Sequence, residues 1–136
     1  MLANPKYGWT NVSIGEFNEC ASYLTDVPND CLDAFIYARE NGFPAVVYFD
    51  AEGYEYYLIA SYFESFITIE KDELKTYRFD LGLVDLAKEL IDDIEQNIDE
   101  WADWQCYKEY DENQLKINKR KLEQKIRRLK QLIAIN

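Results

Sequence analysis

Histidine is absent from the chain. Its absence removes the side chain most often used as a general base, the Ser-His and Cys-His nucleophile pairs, and the commonest metal ligand. Glycine is scarce: five residues stand singly, so no phosphate-cradling loop is built from them. The three cysteines, Cys20, Cys31 and Cys106, are odd in number, widely spaced and form no Cys-x-x-Cys pair. They read as reduced, mostly buried thiols of a cytoplasmic protein. No apolar run approaches the ~20 residues that a membrane-spanning helix needs. The opening Met1–Lys6 also lacks the apolar stretch of a signal peptide. These absences point away from catalysis, metal binding and membranes. The expectation is a protein with no catalytic residues, no metal and no cofactor.

What is present is charge, unevenly divided. Residues 1–112 hold 25 acidic and 7 basic side chains, net −18, while residues 113–136 hold 1 acidic and 8 basic, net +7. An acidic body on a basic tail favours electrostatic binding, and the body should repel nucleic acid and attract basic partners. An apolar share of 48% and an aromatic share of 15% argue for a packed domain over 1–112. The last 24 residues carry no aromatic ring and would need a partner surface to fold on.

Alternation places two short strands in 7–25. A helix follows, with Asp26 or Asn29 as cap, Pro28 in its first turn, an apolar stripe of Cys31, Leu32, Phe35 and Ile36, and Gly42 just past its end. Ala45–Phe49, the turn Asp50-Ala51-Glu52-Gly53 and Tyr54–Ser61 read as a hairpin. Phe66–Ile69 and Thr76–Phe79 complete a meander of about four strands. Tyr54, Tyr56, Tyr57, Tyr62 and Phe63 crowd one strand region. They serve either as cover for the sheet or as exposed interface anchors. From Asp80 the period becomes helical, and Leu83, Ala87, Leu90, Ile91, Ile94, Ile98 and Trp101 define one long helix reaching to about Tyr110. The fold class expected is α+β: a mainly antiparallel sheet covered by a long amphipathic acidic helix, with a basic coiled-coil-like C-terminal helix.

On that long helix Asp85, Glu89, Asp92, Asp93, Glu95, Asp99, Glu100 and Asp103 share an arc of about 160° opposite the apolar stripe. Eight charges over ~27 Å amount to one per ~3.4 Å, close to the phosphate spacing along one DNA strand. Asp85, Glu89, Asp92, Asp93, Asp99, Glu100 and Asp103 are therefore the candidate partner-binding residues. They would stand in for phosphates in the basic groove of a nucleic-acid-binding protein. The plainer alternatives are a solvated face, or one paired with the basic tail of the same molecule.

In residues 113–136, Leu115, Leu122, Ile126, Leu129 and Ile133 form a seam of about three heptads, with Lys119 at an a position. The expectation is a homodimer joined through this seam. The alternative is a nucleic-acid-binding or regulatory protein working through the tail's eight cations, the only part suited to such contact.

The stretch Ile14-Gly15-Glu16-Phe17-Asn18-Glu19, followed by Tyr23-Leu24-Thr25-Asp26-Val27-Pro28 and a helix, resembles the opening of the conjugative-transposon antirestriction family. Those are small acidic α/β proteins that mimic DNA, a habit shared with some anti-CRISPR proteins. The resemblance covers residues 14–28; the body is shorter than in that family, and the basic tail has no counterpart there. It implies a non-enzymatic anti-defence inhibitor that occupies the DNA site of a defence nuclease, with no catalytic residue to carry over.

Overall fold

The computed structural model describes residues 1–105 and 109–134. The fold is α+β with two separate antiparallel sheets. Strands β1 (Leu2–Lys6), β2 (Trp9–Ile14) and β3 (Phe17–Ser22) form the first in the order β1-β2-β3. Strands β4 (Ala45–Asp50), β5 (Glu55–Ala60), β6 (Ser65–Glu70) and β7 (Leu74–Phe79) form the second as a plain meander. The N-terminal strands, expected as edges of one sheet, thus pair among themselves. β1 went unread because Asn4-Pro5 argues against a strand. It survives as an edge strand whose register shifts between Ala3 and Lys6, with Asn4 at φ 55°, where the proline owes the ladder no N–H.

Helix α1 (Val27–Asn41) begins after Asp26. It carries proline in its first turn and ends on Gly42 at φ 72°, whose N–H bonds back to the Ala38 carbonyl. Glycine reaches that left-handed conformation without a Cβ penalty. The Asp26 carboxylate does not cap the helix; it accepts two bonds from the Asn29 amide at 3.1 and 3.2 Å. The β4–β5 hairpin turns where expected. The Ala51 N–H bonds to the Tyr54 carbonyl at 2.9 Å, and Asp50 Oδ1 accepts the Glu52 N–H at 2.8 Å.

The long acidic helix is two helices, a correction to the sequence reading. Helix α2 (Leu83–Gln96) stops at Asn97, whose φ −131° and ψ 39° leave helical geometry, and α3 (Ile98–Ala102) starts anew. The apolar period runs across the break because both helices bury the same side: Leu90, Ile91, Ile94 and Trp101 are in the core, and Ile98 packs at its edge. A second correction concerns what these helices cover. α2 packs on α1, on the C-terminal helix α4 (Glu112–Ala134) and on β1, while α1 is the helix laid against β4. The main core joins α1 and the inner face of the second sheet, with Val47, Phe49, Tyr56, Leu58 and Ile67 buried alongside Leu32 and Phe35.

The two sheets meet through side chains. Phe17 sits edge-on to Tyr56 and Tyr77 at 5.4 and 5.3 Å between ring centres. The Tyr56 hydroxyl donates to the Cys20 carbonyl at 2.8 Å, and the Tyr54 hydroxyl donates to the Glu19 carboxylate at 2.5 Å.

Candidate protein-binding surface

Helix α4 lies on α1, α2 and α3, and the seam expected to join two copies closes instead on this chain's own helices. Leu122, Ile126 and Leu129 are buried; Leu115 and Ile133 are half-buried. Helical spacing places such residues on one face, and that face is already covered. Lys119, the cation read into the seam, reaches Asp99 at 3.1 Å. Ion pairs line both flanks of the docked helix. Toward α1, Lys125 reaches Asp33 at 3.0 Å and Arg128 reaches Glu40 at 3.4 Å. Toward α2, Lys130 reaches Glu95 at 3.0 Å. Two polar contacts complete the dock: Asn118 donates to the Ala102 carbonyl at 2.9 Å, and Arg39 to the Leu132 carbonyl at 3.1 Å. Four of the eight tail cations are thus turned to the body, and Lys116, Arg120, Lys121 and Arg127 stay exposed.

The seven carboxylates chosen from the sequence divide by role. Asp93 accepts from the Met1 amino group at 2.7 Å and the Leu2 N–H at 3.0 Å, and Glu89 lies 3.5 Å from the same amino group. Asp85 accepts the Gly82 N–H at 3.2 Å, an N3 carboxylate reaching back to the start of α2. Asp99 pairs with Lys119. Asp92, Glu100 and Asp103 are exposed and make no ion pair among the described residues. The break at Asn97 also takes the α3 group out of line with the α2 group, so the even pitch along one rod is lost.

In its place the structure has a cleft. Asp99, Glu100 and Asp103 meet Glu109 and the chain reversal at Pro5, Lys6 and Tyr7 around a volume of about 700 Å³, with Trp104 and Tyr110 in its wall. Trp104 is held by its indole N–H, which donates to the Trp9 carbonyl at 3.1 Å. Tyr7 stands out at φ 53° beside Gly8 at φ 78°. Carboxylates beside aromatic faces suit a guanidinium or an ammonium: the acids pair with it and the rings receive it face-on.

The tyrosine-rich strand splits by side. Tyr56 is buried, Tyr54 half-buried, and Tyr57, Tyr62 and Phe63 are exposed. Burial pushes the Tyr54 and Tyr56 hydroxyls above their ordinary range, with Cys20 and Glu19 adding to it. Tyr48 on the outer face donates to Glu55 at 2.7 Å and is pushed up to about 12 by that bond. The Cys31 thiol is buried and raised by desolvation; Cys20 is half-buried, and Cys106 lies outside the described residues. Among the described residues no group of three or more acidic or cysteine side chains is placed to hold a metal ion, and no helix is long and apolar enough to cross a membrane.

Comparison with protein-family models, with curated proteins and with solved structures finds no match.

Proposed function

We propose that the protein is a non-enzymatic inhibitor that binds a basic, nucleic-acid-binding protein, such as a defence nuclease, through the carboxylates of α2 and α3. The observation that carries this reading is the cleft in which Asp99, Glu100, Asp103 and Glu109 surround Tyr7 and Tyr110. A groove built to hold phosphates presents Arg and Lys side chains, and this cleft has the acceptors and ring faces to receive one. Asp92, exposed on α2, and the acidic body around it would steer such a partner toward the site. The docked tail offsets the field only on the side where it lies.

The test is a binding titration against a panel of purified DNA-binding defence nucleases over a salt series. A Glu100→Lys/Asp103→Lys double variant should lose at least tenfold in affinity for the nuclease that binds. Wild-type affinity should fall steeply between ~0.05 and ~0.5 M salt, as exposed charges become screened. Binding that holds in ~1 M salt, or that ignores the double reversal, rejects the reading.

A further inference from the structure

The second sheet has an uncovered face. On its outer side Val46, Ile59, Phe66 and Arg78 form one row across the strands. Tyr48, Tyr57, Thr68 and Thr76 form the next, and Asp50, Glu55, Glu70 and Leu74 the last. Val46 is 55% exposed and Tyr57 42%, so no helix of this chain lies over them. Past the apolar row the face runs into an aromatic cluster. Phe43 is 58% exposed, Tyr62 64% and Phe63 83%. Scattered exposed apolar residues are ordinary, but contiguous ones mark contact surfaces.

The cluster surrounds a recess of about 240 Å³ lined by Ala38, Arg39, Gly42, Phe43, Pro44, Tyr62 and Leu83. A cavity of ~150 Å³ holds benzene, so this one is large enough for a leucine or an aromatic side chain. It is also built rigidly. Within the 61–64 turn the Ser61 N–H and hydroxyl both bond the Glu64 carbonyl, at 3.0 and 2.5 Å, and the Leu83 N–H bonds the Ser61 carbonyl at 2.8 Å. A Cβ on Gly82 would collide with the Tyr62 carbonyl, so α2 can start this close to the turn only from glycine. Tyr62 and Phe63 are therefore presented outward by a braced turn.

The opposite end is acidic. Asp50, Glu55 and Glu70 line a shallow hollow with Tyr54 and Lys71. Lys71 is turned away, lying over the Tyr54 ring at 4.7 Å and 3.6 Å from Glu19. From Val46 to Asp50 the strand advances four residues, ~13 Å. The face thus offers an apolar socket and, about one short extended segment away, a row of carboxylates without a cation.

We propose that this face is a second docking surface, shaped for a protein segment with one bulky apolar side chain followed four to five residues later by arginine or lysine. It shares no lining residue with the α3 cleft and stands independently of it. Charge selects the occupant. A two-fold pair of copies would set the carboxylate row either on its counterpart or on the apolar row, and both arrangements are unfavourable.

The test uses uniformly ¹⁵N-labelled full-length protein and three synthetic peptides of one length. The first carries Leu at one end with Arg-Arg four and five residues on; the second has Glu-Glu in place of Arg-Arg, and the third Ser in place of Leu. The first should shift amides of β4–β6 and the 61–64 turn saturably, and each control should bind at least tenfold more weakly. Phe63→Ser and Glu55→Gln/Glu70→Gln, both at exposed sites, should each weaken the first peptide at least tenfold. Equal binding of the controls, shifts confined to α2–α3, or no saturable shift would overturn the proposal. So would a concentration-dependent dimer in sedimentation that Phe63→Ser abolishes, because the occupant would then be a second copy.

Discussion

At the scale of single residues, the two sheets hang together on a few hydroxyls and rings, and Tyr56 is chief among them. It is buried, stacks on Phe49 at 5.1 Å and donates to the Cys20 carbonyl. Tyr56→Phe keeps the ring and removes the bond, so chemical denaturation at neutral pH should show a loss of about 1 kcal/mol. The same substitution has a pH signature. The folded protein holds the Tyr56 proton to higher pH than the unfolded chain. Stability is therefore unaffected well below pH ~10 and falls above it, where the unfolded state gives up a proton that the folded state keeps. Tyr56→Phe should flatten that alkaline decline without abolishing it, because Tyr54 is raised in the same way. A decline equally steep in the variant would show that Tyr56 takes no part in it. Gly82 is the other telling residue. Its neighbour is backbone, which cannot swing aside, so Gly82→Ala should cost about 1–3 kcal/mol and lower the thermal midpoint. An unchanged midpoint would mean that the contact between the turn and α2 is looser than described.

At the scale of elements, the sequence located most helices and strands but seldom said what each leans on. The hairpin at 45–60 was legible because turn chemistry and alternation coincide there; the strand at Leu2–Lys6 was hidden by Asn4-Pro5. Asn97 broke the acidic helix without breaking its period, since Ile94, Ile98 and Trp101 keep their spacing when both pieces pack on one core. Leu122, Ile126 and Leu129 read as a seam between copies because a heptad records only that a face is buried. The candidate carboxylates were visible as a group, whereas the pairing of Asp99 with Lys119 and of Asp93 with the amino group depends on tertiary placement. Likewise, alternation in β5 showed that Tyr57 opposes Tyr56, but not that its side stays bare. The docking of α4 gives a graded expectation. Leu129→Ala should cost about 2–5 kcal/mol in denaturant melts. Lys130→Ala, which removes a half-exposed ion pair, should cost no more than about 1 kcal/mol. If the two were equal, charge rather than burial would hold the helix.

For the whole molecule, the division of charge takes on a structural meaning. The basic segment is a wall of the core, its cations spread over Asp33, Glu40, Glu95 and Asp99 from three helices. Cutting the chain before residue 113 would strip cover from α1, α2 and α3 and leave a body of net −18. Such a truncation reports on folding before it reports on any partner, so point variants on exposed carboxylates are the cleaner probes. The two ladders have a mechanical corollary of their own. No backbone rung crosses from the strands at 2–22 to those at 45–79. Fraying that begins in one ribbon has no zipper to follow into the other, and the smaller N-terminal ribbon can come loose as a unit while the larger stays shut.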